Sequence, residues 1–305
     1  MLATTWWRAA SQGDVKRLGR VLALERDEGW VHRTHFGYTA LHLCVWGGHV
    51  AATAFLLSAG ADPKEHVHKP SDDHVHGISS LHLATRDGHV DVVRLLLASG
   101  AATDERFLGR TPLQVASEHG YFEIIELLVR HGAAINVQDT NGRSSLHSVA
   151  AWGYARVARL LLDHGASVHL FDAKGTSALF AATESGDVAT TKLLLDTGAR
   201  LHNVKSPMTL HGVFADALER WILQCKDHGA LLDLVGRLND GGPLAALSVL
   251  VLNGFVLEAL RFVLAVGLHP THQTTFLRAL AAWAMDHNQL TLVQFCHDCG
   301  VELLI

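Results

Sequence analysis

Between residues 35 and 202 the apolar side chains fall into short stretches with helical spacing, and each stretch stops at a glycine. Val90 to Ala98 shows the pattern: Val92, Val93, Leu95, Leu96 and Leu97 form an apolar surface that ends at Gly100-Ala101. A shorter apolar stretch, Ser80 to Ala84, precedes it, with a turn at Gly77 ahead and another at Gly88-His89 between the two. The pattern predicts a turn, a short helix, a second turn, a longer helix and a stop. Helices this short are marginal alone. The leucines therefore need a neighbouring unit to cover them, which predicts a stack rather than a single core.

The glycines give the period of the stack. Gly109, Gly142 and Gly175 are 33 residues apart, and Gly120, Gly153 and Gly186 keep the same step, as do Gly132, Gly165 and Gly198. Gly77, Gly88 and Gly100 stand 32 residues before the first of each set, and Gly37, Gly48 and Gly60 stand 40 before those. Five units thus share three glycines in phase. Upstream, Trp6 to Leu22 with Ala9-Ala10 and Gly13-Asp14-Val15 reads as an amino-terminal unit with a wet outer face. Downstream, Gly254 and His287 are 33 apart, as are Gly267 and Gly300, which predicts helix pairs over 244–266 and 274–299. A further pair over 213–238 is expected from the spacing of Leu218, Trp221, Ile222 and Cys225.

The segments Thr39-Ala40-Leu41-His42, Ser79-Ser80-Leu81-His82, Thr111-Pro112-Leu113-Gln114 and Ser144-Ser145-Leu146-His147 recur in this phase, with Gly48-His49, Gly88-His89 and Leu-Leu ahead of Gly-Ala. Over about residues 35–202 the chain resembles the ankyrin repeat family. The fifth unit departs from the motif, with Leu179-Phe180 where Leu-His is expected. The resemblance implies an all-α solenoid of about nine helix-turn-helix units joined by β-hairpin loops, at about 33 residues per unit. The expected organisation is a degenerate capping repeat over 1–34, five ankyrin repeats over 35–202 with a histidine-rich hairpin insertion at 64–76, and degenerate repeats with a cap over 203–305.

Composition narrows the function classes. The chain has 305 residues, is 49% apolar and 18% charged and carries a net charge of -5, so it is not a disordered chain and has no global attraction for nucleic acid or anionic lipid. Its four cysteines, Cys44, Cys225, Cys296 and Cys299, are too few and scattered for a disulfide framework. With no signal-like start in Met1 to Arg8, a cytoplasmic or nuclear location is expected. The most apolar stretch, 244–268, contains Asn253, Gly254, Glu258 and Arg261, which argues against a membrane span. Cys296-His297-Asp298-Cys299 is a lone Cys-x-x-Cys at a helix carboxyl end, where the dipole disfavours a thiolate, and reads as packing. No phosphate-binding glycine loop, His-Glu-x-x-His or nucleophile elbow occurs. The expectation is a non-enzyme with no catalytic residues and no cofactor.

The 22 histidines nearly equal the 25 lysines and arginines together. The resemblance implies that His42, His82 and His147 are structural, each held by the hydroxyl three residues earlier, on Thr39, Ser79 and Ser144. His49 and His89 fall in inter-helix turns, while His131 and His164 precede glycine stops, where a cation favours the helix end. The insertion is different: His66-Val67-His68-Lys69-Pro70-Ser71-Asp72-Asp73-His74-Val75-His76 breaks the period. As a lengthened hairpin with Lys69 to Asp73 as its loop, it places His68 opposite His74 and His66 opposite His76, four imidazoles on one face within reach of a zinc ion. Two other readings stand beside that zinc site: a polar loop whose histidines meet only water, and a finger whose crowded imidazoles respond to pH.

The resemblance also implies binding of a protein along the concave face, through hairpin tips and the exposed ends of the first helices. Those positions hold Phe36, Tyr38, Trp46, Arg86, Phe107, Leu108, Arg110, Glu118, Arg143 and Trp152. Aromatic residues and arginines dominate binding hot spots, and an exposed apolar patch needs a reason. The competing reading is that the rings pack on neighbouring hairpins. The expected function is a non-catalytic scaffold or adaptor, monomeric or held in a hetero-complex. The alternatives are a metal- or pH-responsive module using the 66–76 hairpin and a constitutive subunit of a larger complex.

Overall fold

The computed structural model describes residues 2–25, 28–67 and 77–199, with a few helical positions between 277 and 286. Residues 1–174 form one compact unit and residues 175–305 a second.

In the first unit, α1 (Leu2–Gln12) and α2 (Val15–Glu25) lead through a 3-10 turn at Glu28–His32 to four further pairs. These are α3 (Ala40–Trp46) with α4 (Val50–Ser58), α5 (Ser80–Arg86) with α6 (Val90–Ala98), α7 (Pro112–His119) with α8 (Phe122–Arg130), and α9 (Ser145–Trp152) with α10 (Ala155–Asp163). Odd-numbered helices pack on one another in an inner row, α1 on α3, α3 on α5, α5 on α7 and α7 on α9. The even-numbered helices form an outer row in the same order, and each inner helix also packs on its own partner. Leu41, Leu81, Leu113 and Leu146 of the inner row and Leu56, Leu96, Leu128 and Leu161 of the outer row are buried between successive pairs. This is the cover that the short helices require.

The helix boundaries follow from their caps. Thr39, Ser79 and Thr111 have extended backbones and their hydroxyls accept the amide proton three residues on, which satisfies a donor the helix cannot. Pro112 adds a fixed φ at the first helical position of α7. At the other end, Gly120 closes α7 in the left-handed region at φ 69°, and a Cβ there would also lie 2.7 Å from the Tyr154 ring of the next pair. Glycine is thus required both by conformation and by the close stacking of successive turns.

The hairpin tips are two-residue turns. His35 pairs with Tyr38 and Phe107 with Arg110 in antiparallel bridges. The central residues have positive φ, 52° at Phe36 and 82° at Gly37, then 50° at Leu108 and 77° at Gly109. That is the turn whose twist suits a hairpin. Among the described residues these bridges are isolated and build no sheet.

The second unit contains α11 (Ala178–Ser185) and α12 (Val188–Asp196), with Leu179 and Leu194 buried. Its departure from the motif has a local consequence: Ser177 caps the Phe180 amide at 3.2 Å, but the phenyl ring has no acceptor with which to return the bond. The described residues therefore contain six helix pairs, and the chain is an all-α repeat solenoid. Of the three remaining pairs expected, those over 213–238 and 244–266 lie outside the described residues, and the helical positions at 277–278, 281–282 and 284–286 fall inside 274–299. Cys225, Cys296 and Cys299 also lie outside. No helix among the described residues is long and apolar enough to cross a membrane.

Candidate protein-binding face

The hairpins that carry Leu108, Arg110 and Arg143 are placed by buried polar side chains of the preceding inner helices, and His42 holds the segment before the second hairpin in the same way. His42 Nδ1 lies 2.7 Å from the Thr39 hydroxyl and accepts the Thr39 amide proton at 3.2 Å, while Nε2 lies 3.0 Å from the Glu65 carbonyl. A carbonyl only accepts, so Nε2 carries the proton and the ring is neutral. His82 repeats the arrangement, with Nδ1 2.8 Å from the Ser79 hydroxyl and Nε2 donating to the Arg110 carbonyl at 3.0 Å. Gln114 does the same with an amide: its Oε1 accepts from the Thr111 amide, and its Nε2 donates to the Val137 and Arg143 carbonyls, each at 3.0 Å. In each case an inner helix grips the backbone of the following hairpin. Burial pushes the His82 imidazole down to about 4; the Arg110 hydrogen bond opposes the shift, and nearby His66 adds to it.

The other repeat histidines are structural as well. His49 Nε2 bonds to the Ser11 carbonyl at 3.0 Å and His89 Nε2 to the Trp46 carbonyl at 3.2 Å, so each turn is tied to the pair before it. His131 and His164 cap their own helix ends through Nδ1, at 2.8 and 2.9 Å from the carbonyl four residues earlier. Cys44 donates from Sγ to the Ala10 carbonyl at 3.2 Å, and burial pushes its thiol up to about 12.

The candidate binding residues sit on the hairpin tips and at the ends of α3, α5, α7 and α9. Tyr38 is half-buried and stacks on Trp46 with ring centroids 6.0 Å apart, and half-buried Phe107 presents its face or edge to His82 at 6.1 Å. For these two rings, packing within the chain is what the structure shows. Phe36, Leu108 and Trp152 are different, being 81%, 61% and 65% exposed, and Trp46 is 50% exposed despite its stack. Arg86 forms a bidentate pair with Asp87 at 2.8 and 3.0 Å, which holds Asp87 below the ordinary carboxyl range. Arg110 pairs with Glu118 at 2.7 and 2.9 Å. Half-buried Arg143 is anchored by its backbone, whose N–H bonds to the Asp139 carboxylate.

Trp7 was not among the expected residues, yet its ring stacks on His35 at 5.4 Å, and His35 touches Phe36 at 4.4 Å. No local pattern in the sequence joins Trp7 to the tip at His35 and Phe36. The backbone strain at Phe36 and Leu108 did leave a trace, because a bulky residue directly before the tip glycine occupies a place that favours Asn, Asp or Gly.

His66 and Val67, the described part of the insertion's first arm, pair in a different register from the one expected. His66 stands opposite Ser79, not His76, and the Val67 amide bonds to the Ile78 carbonyl at 3.1 Å. Val67 is buried, and burying its side chain selects this register over its neighbours. His66 Nε2 lies 2.9 Å from the Glu105 carboxylate on the next hairpin. His68, His74 and His76 lie outside the described residues. Among those described, no three His, Cys, Asp or Glu side chains group as a metal site would.

Paired helices in two rows, with hairpins gripped by the preceding unit, define a helical repeat protein. The chain belongs to the ankyrin repeat family: a family model of three ankyrin repeats matches residues 64–139 and 131–205, and a single-repeat model matches 36–67. Together these matches span 36–205, more than half of the 305 residues. Ankyrin repeats are generally protein–protein interaction modules. No curated protein matches the sequence.

Proposed function

We propose that this protein is a non-catalytic adaptor that holds a protein partner on the face formed by the hairpin tips and the exposed ends of the inner helices, in a cytoplasmic or nuclear setting. The observation that carries the reading is the pair of tips. Phe36 and Leu108 occupy equivalent places in two hairpins, both in the left-handed region and both exposed. A non-glycine residue held there costs about 1–3 kcal/mol, and an exposed apolar ring or leucine gains nothing from burial. Asparagine or glycine would relieve both costs, so large apolar side chains at these tips have their use outside the folded chain. Trp46 and Trp152 extend the apolar surface along the helix ends. The free, buried thiol of Cys44 fits a reducing compartment.

The test compares affinity purification on the full chain and on a Trp46→Ala/Trp152→Ala variant. Neither indole is buried, so helical circular dichroism should be unchanged while partners recovered with the wild type are lost. Undiminished recovery of the same partners would refute the assignment.

A further inference from the structure

On the reading of this face as a protein-binding surface, we infer that the partner presents a carboxylate side chain, with an apolar residue beside it, to Arg143 and Trp152. Equivalent positions in successive repeats set Arg143 apart from its counterparts. The residue after each tip glycine and the residue eight positions later form a pair. In the first repeat these are Tyr38 and Trp46, which stack at 6.0 Å, and in the third they are Arg110 and Glu118, which form an ion pair at 2.7 Å. In the second repeat Arg86 has Ile78 as its counterpart and pairs instead with Asp87 at 2.8 Å. In the fourth repeat the counterpart of Arg143 is Ala151, which offers nothing to a cation.

Of the three arginines on this face, two are neutralised within the chain. The Arg143 guanidinium makes no ion pair or hydrogen bond among the described residues, although the residue is half-buried. A partly desolvated charge without a counterion is costly, and a bidentate carboxylate is the group that best fits its fork. Trp152 directly follows Ala151 at the same helix end and is 65% exposed, so that helix end presents an apolar surface. A polyanion such as nucleic acid needs a run of uncompensated cations. This face instead carries the carboxylates of Asp87 and Glu118 on the same row of helix ends. A single acidic side chain in a protein segment suits that balance.

The experiment selects a displayed library of random 12-residue peptides on the full chain and, in parallel, on Arg143→Gln. That variant keeps the backbone bonds of residue 143 to Asp139 and Gln114. The inference expects wild-type peptides to share an Asp or Glu next to a bulky apolar residue. By fluorescence polarisation the best peptide should bind Arg143→Gln about ten- to a hundredfold more weakly, and changing its acid to the amide should weaken binding to the wild type but not to Arg143→Gln. A consensus without an acid, or an acid-to-amide loss that persists on Arg143→Gln, overturns the inference and leaves the docking face standing. Binding of a single-stranded 20-nucleotide DNA through Arg143 overturns it in favour of a nucleic acid. If no peptide is enriched, or if Trp46→Ala/Trp152→Ala retains every peptide, the docking face fails and the inference with it.

Discussion

Replacing His82 by glutamine should leave the protein about as stable at pH 7.5 and make it more resistant to acid. The neutral imidazole is built into the fold: Nδ1 faces the Ser79 hydroxyl at 2.8 Å, Nε2 donates to the Arg110 carbonyl at 3.0 Å, and the residue is 2% exposed. Its folded value is pushed from the ordinary 6.5 down to about 4. A proton therefore binds the unfolded chain more readily, so the stability from this residue is complete above pH 6.5, falls as pH drops below it, and levels off below about 4. At about 1.4 kcal/mol per pH unit, the loss is roughly 2 kcal/mol at pH 5 and about 3 kcal/mol once both forms are protonated. Glutamine can make both bonds without titrating, as Gln114 does at the equivalent place in the third repeat, with Oε1 accepting from Thr111 and Nε2 donating to Arg143. Urea unfolding of both proteins at pH 7.5 and pH 5 gives the test as a double difference, which cancels the contributions of His42 and His147. The acid-induced loss should be about 2 kcal/mol smaller in the variant. Equal losses in the two proteins would refute the reasoning, and a large loss at pH 7.5 would show that glutamine cannot take over the bonds.

Phe36→Asn and Leu108→Asn should each raise stability by roughly 0.5–1 kcal/mol, since asparagine tolerates the left-handed region, while weakening partner capture. Thermal unfolding and affinity purification measured on the same variants check this, and a loss of stability in both would mean that the tips are held by contacts within the chain. Cys44, with its thiol pushed up to about 12 by burial, should resist iodoacetamide at pH 8 in the native state and react in urea, as read by peptide mass spectrometry. Native labelling of Cys44 at the rate of an exposed thiol would contradict its place against Ala10.

The repeat architecture was legible because it is set by local chemistry. Val90–Ala98 is bounded by a turn and a glycine stop that any reader of apolar spacing meets, and α6 occupies those residues. The pairing of Thr39 with His42 and Ser79 with His82 follows from a three-residue reach at a helix start. What could not be read is whatever depends on the neighbour across a gap. Asp87 beside Arg86 is visible in the sequence, but that Glu118 is brought back to Arg110 by a hairpin and helix, while Ala151 takes the equivalent place for Arg143, is not. The His66 register failed for the same reason. Symmetric placement of four histidines suggested His66 opposite His76, whereas the inward packing of Val67, a tertiary fact, put Ser79 there.

These two kinds of residue divide the work of the fold. Buried His42, His82 and Gln114 bond the backbone of the hairpin that follows each of them, while the capping hydroxyls satisfy their own helix starts, so a tip such as Leu108 is not needed to hold its own loop. That independence allows Leu108 to keep a left-handed conformation in which its side chain stays in water, and Phe36, whose ring meets His35, is likewise 81% exposed. It also makes the two sets separable by experiment. Changes at the gripping residues should alter stability and its pH dependence, whereas changes at the tips and at Trp46, Arg143 and Trp152 should alter what is bound while the helices stay folded. A tip variant that unfolds the stack, or a His82 variant that loses the partner at full stability, would break this separation and with it the physical case for assigning the exposed residues to recognition.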